Sequence, residues 1–331
     1  MTQAQDESNI HGFVVNQMLK DYEDMDSTVA TQFISKAYEV RVFKDTTYDS
    51  LSDWYFNKFK PNVFLLDEDE YTEASIQSLK IQFLIAGTDF GTSRQRDMGQ
   101  KWSDTIRGYL GELGLKQLLS NRFNIDIELG HEPGRLEEYL DLDIKQVKKS
   151  NDLNYRNPLI NVSIKTTKSN GVWLDIPGDQ FSHSDLYVLA LIGVDVNHLF
   201  SFFKHLSVFK DKVLKKGVDN NCINQLEADE IYNKVPSFRK IYGYIAGLVS
   251  SDMNKDDYTY EGLMGRTNFT ITNWSGKYEE DYLDIVKRDK GARTVKFAGI
   301  GSFTQSNRHI YGLAGLKNSA EDWQSMLVDK I

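Results

Sequence analysis

The chain of 331 residues contains only one cysteine, five prolines and six histidines. A single cysteine excludes an internal disulfide, and the scattered histidines exclude a zinc site built from Cys and His ligands. No low-complexity run is present, and 40% of the residues are hydrophobic. We therefore expect a folded globular protein rather than a disordered or fibrous one, with two domains or one large α/β domain carrying insertions.

The features of secreted and membrane proteins are also missing from the sequence. Residues 1–16 contain acidic side chains and no apolar core segment, so no signal peptide is predicted. The longest apolar stretch, around residues 186–194, is far too short to span a bilayer. These absences predict a cytoplasmic protein that has no membrane partner.

The net charge of -9 is unevenly distributed along the chain. Residues 1–80 hold 15 acidic and seven basic side chains, whereas residues 204–216 and 287–308 are locally basic. Phosphate groups respond to a local basic surface, because the electric field decays over about 8 Å in cell-like salt. The overall acidic balance therefore does not exclude a nucleic-acid partner, although each basic run is also consistent with a solvated helix face.

Hydrophobic periodicity divides the chain into three regions. Residues 1–95 are acidic and show helical spacing, with the cluster Asp67–Glu70 at a loop or a helix start. Residues 96–217 form an α/β unit, after a candidate boundary at residues 87–92. Residues 218–331 form a mixed extension with both helical and strand signals, including a predicted helix over residues 237–249. We expect a mixed central sheet flanked by helices, with a helical region before it and a mixed region after it.

The middle region has the most regular patterns. Apolar residues at three- and four-residue spacing predict a helix over residues 102–122, followed by a strand at residues 125–129. Two alternating runs, at residues 140–145 and 160–167, predict an antiparallel pair of strands joined by a polar loop. A continuous apolar run predicts a buried strand at residues 185–194, and an amphipathic helix is predicted over residues 198–216.

Charged side chains interrupt these elements at a few positions. Glu112 is the one charge in the stretch Tyr109–Leu115 of the predicted helix, so its carboxylate should be partly buried and should have a partner. Asp141 and Asp143 project from one face of their strand, and Ser163 and Lys165 project from one face of the next. If these strands pair, the carboxylates and the ammonium converge.

Such a group of side chains has a defined chemistry. Carboxylate oxygens bind a hard cation such as Mg²⁺, which stabilises charge on a phosphate and acidifies a bound water. A nearby lysine can orient or deprotonate that water. Each residue alone also has an ordinary explanation as a salt-bridge partner or a half-exposed strand residue, but their joint order along the chain favours a site.

These segments resemble a known superfamily. The sequences Gly-Tyr-Leu-Gly-Glu-Leu-Gly at 108–114, Leu-Asp-Leu-Asp-Ile at 140–144 and Val-Ser-Ile-Lys-Thr-Thr at 162–167 are similar to the motifs of PD-(D/E)xK nucleases, above all the type II restriction endonucleases. The resemblance covers about 85 residues of the middle region. It implies Mg²⁺-dependent hydrolysis of double-stranded DNA at specific sites, which leaves 5′-phosphate and 3′-hydroxyl ends.

The resemblance also implies roles for individual residues. Glu112 and Asp143 would hold the metal, with Asp141 as the rival for the second place. Lys165 would activate the attacking water, and the main-chain carbonyl of Ile164 would complete the metal shell. The sequence departs from the superfamily at Ser163, where Asp or Glu is usual, and this S-x-K variant leaves the number of metal ions open. Glu112 is the candidate for the missing carboxylate, and Asp175 is the weaker one.

Residues that contact DNA are expected in polar segments around this core. Arginine, glutamine and asparagine read base edges, whereas lysine mostly contacts phosphates. For each of these residues, simple solvation in a loop is the alternative. The candidates are Arg94, Gln95, Arg96, Lys168, Ser169, Asn170, Gln180 and His183.

Partners and alternatives follow from the same interpretation. Cutting both strands of a palindrome takes two sites related by a two-fold axis, so a homodimer is expected. No G-x-x-x-x-G-K-[ST] motif is present, which excludes a P-loop nucleotide site. The alternatives are a repair, recombination or modification-dependent nuclease with the same residues, and a catalytically inactive DNA-binding protein that keeps a nuclease-like core.

Overall fold

A computed structural model describes most of the chain. The described residues are 3–39, 47–82, 97–130, 143–171, 173–177, 183–252, 260–263, 268–271, 294–297, 301–303 and 307–331. The candidate boundary at residues 87–92 lies outside them. Within the described part, no helix is both long enough and apolar enough to cross a membrane.

Helices and strands alternate through much of the chain. The α-helices are α1 (Gln3–Asp21), α2 (Ser27–Glu39), α3 (Tyr48–Trp54), α4 (Glu68–Ile81), α5 (Met98–Phe123), α6 (His198–His205), α7 (Lys215–Asp219), α8 (Gln225–Lys234) and α9 (Ala320–Trp323). The strands are β1 (Val63–Leu66), β2 (Ile125–Leu129), β3 (Ile144–Lys149), β4 (Val162–Lys168), β5 (Trp173–Pro177), β6 (Leu186–Ile192), β7 (Ile241–Ser250), β8 (Tyr260–Leu263), β9 (Asn268–Ile271), β10 (Thr294–Phe297), β11 (Gly301–Phe303) and β12 (Asn307–Gly312). Short π-helical or 3-10 turns lie at Tyr55–Phe59, Lys60–Asn62, Phe209–Leu214, Leu313–Gly315 and Gln324–Val328.

The central sheet has four strands in the order β1-β7-β6-β4. The pair β4–β6 is parallel, whereas β6–β7 and β7–β1 are antiparallel, so the sheet is mixed. It takes a strand from the N-terminal region, two from the middle region and one from the C-terminal region. The expectation of a mixed α/β fold, with a mixed sheet flanked by helices, is confirmed.

Both faces of this sheet are covered. One face packs against α4, α5 and the C-terminal helical turns, and the other packs against α1, α2, α3, β5 and β12. All seven residues of β6 are consequently buried, as expected for a strand between two layers. The acidic cluster predicted at a helix start begins α4, where Asp67 and Glu70 form a capping box.

Helix α5 lies unusually close to the sheet because of its glycines. A β-carbon at Gly114 would overlap the Phe64 ring of β1, and a β-carbon at Gly243 of β7 would overlap the same ring. The aromatic side chain thus fills a slot between helix and sheet that only glycines leave open. Asp97 caps the first turn of α5 by accepting from the Gln100 N–H at 2.8 Å, and Asn124 ends the helix in the left-handed conformation.

Two predicted elements are wrong. Residues 237–249 were expected to be helical, but Ile241–Ser250 is strand β7 in the middle of the sheet. A strand that is buried on both faces lacks alternating polar residues, so its period resembles that of a buried helix. The helix expected over residues 198–216 is broken: α6 ends at His205, and Ser207 has a positive φ of 59°.

The predicted pairing of residues 140–145 with 160–167 is also wrong for the part of these ranges that the structure describes. Strand β3 pairs antiparallel with β2, while β4 pairs parallel with β6. The polar segment between β3 and β4 folds back on β3 instead, since Arg156 and Val147 exchange backbone hydrogen bonds of 2.8 and 3.0 Å. The alternating pattern of a short strand does not determine which strand it pairs with, so the pairing depends on the tertiary fold.

A buried histidine connects α6 to α4 and α5. The Nδ1 atom of His198 lies 2.5 Å from the Tyr71 hydroxyl, and its Nε2 atom lies 2.9 Å from Ser103 Oγ. Burial lowers the pKa of His198 to about 3, with a smaller contribution from the positive charges of Arg107 and Lys168. The imidazole is therefore neutral in the folded protein at ordinary pH.

This neutral histidine predicts a pH dependence of stability. Between pH 6.5 and pH 4 the unfolded chain binds a proton at His198 and the folded chain does not, so the free energy of unfolding falls as the pH falls, by up to about 1.4 kcal/mol per pH unit. His198→Gln should remove this contribution and give a shallower decline. Urea denaturation of both proteins across this range measures it, and parallel curves would contradict the prediction.

Candidate active site

Helix α5 brings Glu112 to strand β4. A β-carbon at Gly111 would overlap the Thr166 hydroxyl of β4, so the helix backbone packs directly on a side chain of the strand at this point. The Thr166 hydroxyl also donates a hydrogen bond of 3.3 Å to the carbonyl oxygen of Gly108. Glu112 follows Gly111 and is partly buried beside the same strand. The glycine thus determines how near the carboxylate comes to β4.

Asp143 is held between two strands just before β3. Its carboxylate accepts a hydrogen bond of 2.5 Å from the Ile164 N–H of β4 and another from the Ser163 hydroxyl. Its main-chain carbonyl accepts from the Gly130 N–H at 3.2 Å, at the end of β2. The β2–β3 hairpin therefore positions the residue, and the carboxylate satisfies a donor on the edge of β4.

The side chains of Ser163 and Lys165 lie on one face of β4, as the alternation of the strand predicts. Ser163 is buried and binds Asp143, so the serine at the position of the usual acidic residue orients a neighbouring carboxylate. Lys165 is partly buried and interacts electrostatically with Asp143, Glu112 and Asp175. The structure thus brings together all three of the predicted charged side chains that it describes.

The pKa values of these groups reflect their burial. Burial raises the pKa of Glu112 well above its ordinary value, repulsion from Asp143 raises it further, and Lys165 opposes both effects. Burial likewise raises the pKa of Asp143, against the hydrogen bond from Ile164 and the attraction of Lys165. Burial lowers the pKa of the Lys165 ammonium, although the surrounding carboxylates oppose this. One ammonium faces more than one carboxyl group, so full ionisation of these groups would leave an excess of negative charge that a cation would offset.

The oxygen atoms of this site suit a hard cation. Glu112 and Asp143 supply two carboxylates. The N–H and C=O of one residue in an extended strand point to the same edge, so the Ile164 carbonyl lies on the side where its N–H meets Asp143. Among the described residues, however, no three His, Cys, Asp or Glu side chains are grouped closely enough to hold a metal. Asp141, the rival ligand, lies outside the described residues.

The predicted DNA contacts are only partly within the described structure. Arg94, Gln95, Arg96 and Gln180 lie outside the described residues. Lys168 is exposed at the end of β4, Asn170 is exposed in the turn after it, and His183 is exposed before β6. Ser169 is buried, and its hydroxyl donates to Gln32 Oε1 at 2.5 Å, so it secures the turn to α2 instead of facing solvent.

This turn lines a cleft of about 550 Å³. The cleft does not include Glu112, Asp143 or Lys165, so it is separate from the charged site. The cleft is lined by three basic side chains, Lys168, Arg239 and Lys240, and by three acidic ones, Asp24, Asp26 and Asp195. Equal numbers of both signs give no net attraction for phosphate, and the charged site on β4 is the stronger candidate for chemistry.

Sequence reasoning missed two features of this site. The first is that the Ser163 hydroxyl and the Ile164 N–H together hold Asp143, and the only sequence signal for it was a small hydroxyl residue two positions before Lys165. The second is the partner of Asp175, a residue predicted only as the weaker candidate for the missing carboxylate: it acts on Lys165 from β5, a strand of another sheet. Its isolated acidic position in Trp173–Ile176 was a signal that did not specify its partner.

Comparison with protein-family models, with curated proteins and with solved structures found no match to this chain. The function is therefore argued from the site itself.

The contact between α5 and β4 gives a matched pair of glycine variants. Gly111→Ala should destabilise the protein by about 1–3 kcal/mol, because the methyl group overlaps the Thr166 hydroxyl. Gly108→Ala, in the same helix, should be neutral or stabilising by up to about 1 kcal/mol, because no atom lies within 4 Å of its β-carbon position. Urea denaturation measures both, and adding Thr166→Ala should partly restore Gly111→Ala. Equal effects of the two glycine variants would show that the close contact does not exist.

Proposed function

We propose that this chain is a Mg²⁺-dependent endonuclease that hydrolyses phosphodiester bonds of double-stranded DNA, with a restriction-endonuclease-like core around β4. The observation that supports this best is the meeting of Glu112, Asp143 and Lys165 from three separate segments at one partly buried position. Buried charges with shifted pKa values are typical of active sites. Their order along the chain is the order of the superfamily that the sequence resembles.

In this proposal Glu112, Asp143 and the Ile164 carbonyl hold the cation. A bound Mg²⁺ supplies stabilisation of the negative charge on the phosphate and a lower pKa for a water. Asp143 keeps its orientation because Ser163 and the Ile164 N–H both donate to it. A cation bound there would favour the ionised form of Glu112, because it would oppose the burial and the repulsion from Asp143 that raise the pKa of this carboxyl.

Lys165 orients and deprotonates the attacking water. Its lowered pKa brings the ammonium closer to giving up its proton, so the neutral amine can accept a proton from water. The hydroxide oxygen then bonds to phosphorus, and the bond from phosphorus to the 3′-oxygen breaks. The products are a 5′-phosphate and a 3′-hydroxyl that takes up a proton.

The exposed Lys168, at the end of the same strand, and Asn170, in the turn after it, are the candidate contacts to the DNA backbone in this proposal. Cleavage of both strands of a palindrome takes two such sites, so the proposal includes a homodimer.

Cleavage of supercoiled plasmid DNA tests the proposal. The purified protein should cut plasmid in Mg²⁺ and not in EDTA, and sequencing of the ends should give a defined pattern. Asp143→Ala and Lys165→Ala should each lower the cleavage rate by about 10²–10⁴-fold while DNA binding persists, because they remove a ligand and a proton acceptor.

Two variants serve as matched controls for that experiment. Glu128→Ala removes an exposed carboxylate from β2, and Lys116→Ala removes an exposed ammonium from α5. Both should cut at the wild-type rate. Undiminished cleavage by Asp143→Ala or Lys165→Ala would mean that the site lies elsewhere. Preference for methylated or branched DNA over unmodified plasmid would point to a repair or modification-dependent nuclease instead.

One observation favours a second candidate, a catalytically inactive DNA-binding protein with a nuclease-like core. Ser163 occupies a position where nuclease cores of this type carry an acidic residue, and its hydroxyl is engaged with Asp143. With two carboxylates from Glu112 and Asp143, the site has fewer acidic ligands than the usual arrangement.

Metal titration separates the two candidates. Isothermal titration with Mg²⁺ or Mn²⁺ should reveal a site in the wild-type protein that Asp143→Asn weakens at least tenfold and Glu128→Gln leaves unchanged. DNA binding without any metal site sensitive to Asp143 would favour the inactive protein.

A further inference from the structure

Exposed apolar side chains are concentrated in one short part of the chain. Among the described residues, seven of the 15 large hydrophobic side chains that are exposed lie between positions 196 and 231. They are Val196, Phe200, Leu206, Val208, Val213, Leu226 and Ile231. Single exposed hydrophobics are common on any surface, but a concentration of them marks an interaction surface.

Six of these residues, all except Val196, belong to one helical unit, residues 198–234, which we name the helical arm. Its inner side is anchored to the rest of the protein by His198 and by Phe202, whose ring packs on Tyr71 and Phe238. Within the arm, α8 packs against α7 and against the π-helical turn at Phe209–Leu214. The buried Leu214 and Ala228 form the inner contact, which leaves the opposite sides of both segments facing solvent.

The two outer sides carry opposite charges. The first segment exposes Lys212 and Lys216 next to Val213 on its outer side, with Leu214 directed inward. Helix α8 exposes Glu227 and Glu230 next to Leu226, which lies one turn before Glu230 on the same side. Lys215 and Asp229 instead line the cleft between the two segments. The arm therefore presents a basic half and an acidic half, each with an apolar residue among its charges.

We propose that the helical arm is the interface through which two copies of this chain associate. In a two-fold interface, residue i of one copy meets residue j of the other and j meets i. A surface with a basic half and an acidic half satisfies this condition, because each half of one arm faces the opposite half of the other. Duplex DNA, a polyanion, would instead meet repulsion from Glu227 and Glu230, so the mixed charge favours a second copy.

The size of the arm agrees with this role. A stable protein interface takes about 20–30 residues from each partner and buries about 800 Å² on each side. The arm has 37 residues, most of which are exposed outside the anchored positions. This proposal rests on the homodimer of the proposed function and assigns a surface to it. Dimerisation is measured without DNA or metal, so either proposal can fail while the other stands.

Sedimentation velocity over a range of concentrations tests the apolar part of the interface. The wild-type protein should dimerise, and Leu226→Glu should weaken the dimer by about 10–100-fold, because a charge replaces an apolar side chain that is 69% exposed in the single chain. Leu153→Glu is the matched control: Leu153 is 91% exposed but lies outside the arm, so this variant should dimerise like the wild type.

Charge reversal tests the electrostatic part. One variant carries Lys212→Glu and Lys216→Glu, and a second carries Glu230→Lys. Each should dimerise at least tenfold more weakly alone, because like charges then face each other. Mixed in equal amounts, they should form a heterodimer, because both halves of that interface are again complementary.

The possible outcomes separate this proposal from its rivals. A wild-type protein that stays monomeric, equal effects of Leu226→Glu and Leu153→Glu, or no association of the mixed variants would each overturn it. A lysine-reversed variant that dimerises normally but binds DNA more weakly would also overturn it, since the lysines would then contact DNA phosphates.

Discussion

The hydrogen bond between the Asp143 carboxylate and the Ile164 N–H is the contact on which the site depends. Strand β4 comes last in the order of the described strands of its sheet, so its outer N–H groups have no strand partner there. A buried carboxylate without donors would cost several kcal/mol, and an unpaired edge N–H would also be unfavourable. Each group satisfies the other, and this places the acidic residue beside Lys165 although β3 and β4 do not pair.

Close packing of α5 against the sheet brings Glu112 to the site. Gly111 allows the helix backbone to contact β4 and Ala190 of β6, and Glu112 is carried to the strand as a consequence. The resulting group of charges is only partly balanced, because one ammonium faces several carboxylates. A protein that needed only stability would replace such charges by apolar residues, which pack at no electrostatic cost. Their presence next to a tightly packed helix is what makes a functional role the better explanation.

Some elements of this fold were predictable from local patterns alone. Helix α5 and strand β2 agree with the predicted elements because their apolar spacing has a single interpretation. Strand β6 was predictable from its continuous apolar run. Strand β7 was not predictable, because a segment buried on both faces has no alternating period. The helix break after His205 was not predictable either, because no residue type at Ser207 indicates its positive φ.

The sequence by itself identified Glu112 as a charge inside an apolar segment, where a buried acid needs a partner. It also placed Asp141 and Asp143 on one face of their predicted strand and Lys165 on a face of the next, without choosing between the two aspartates. Only the tertiary structure decided which residues contact these charged side chains. The pairing of β3 with β2, the donation from Ser163 and Ile164 to Asp143, and the approach of Asp175 join residues far apart in the chain. Such contacts depend on the packing of whole elements, whereas periodicity describes only each element's own burial.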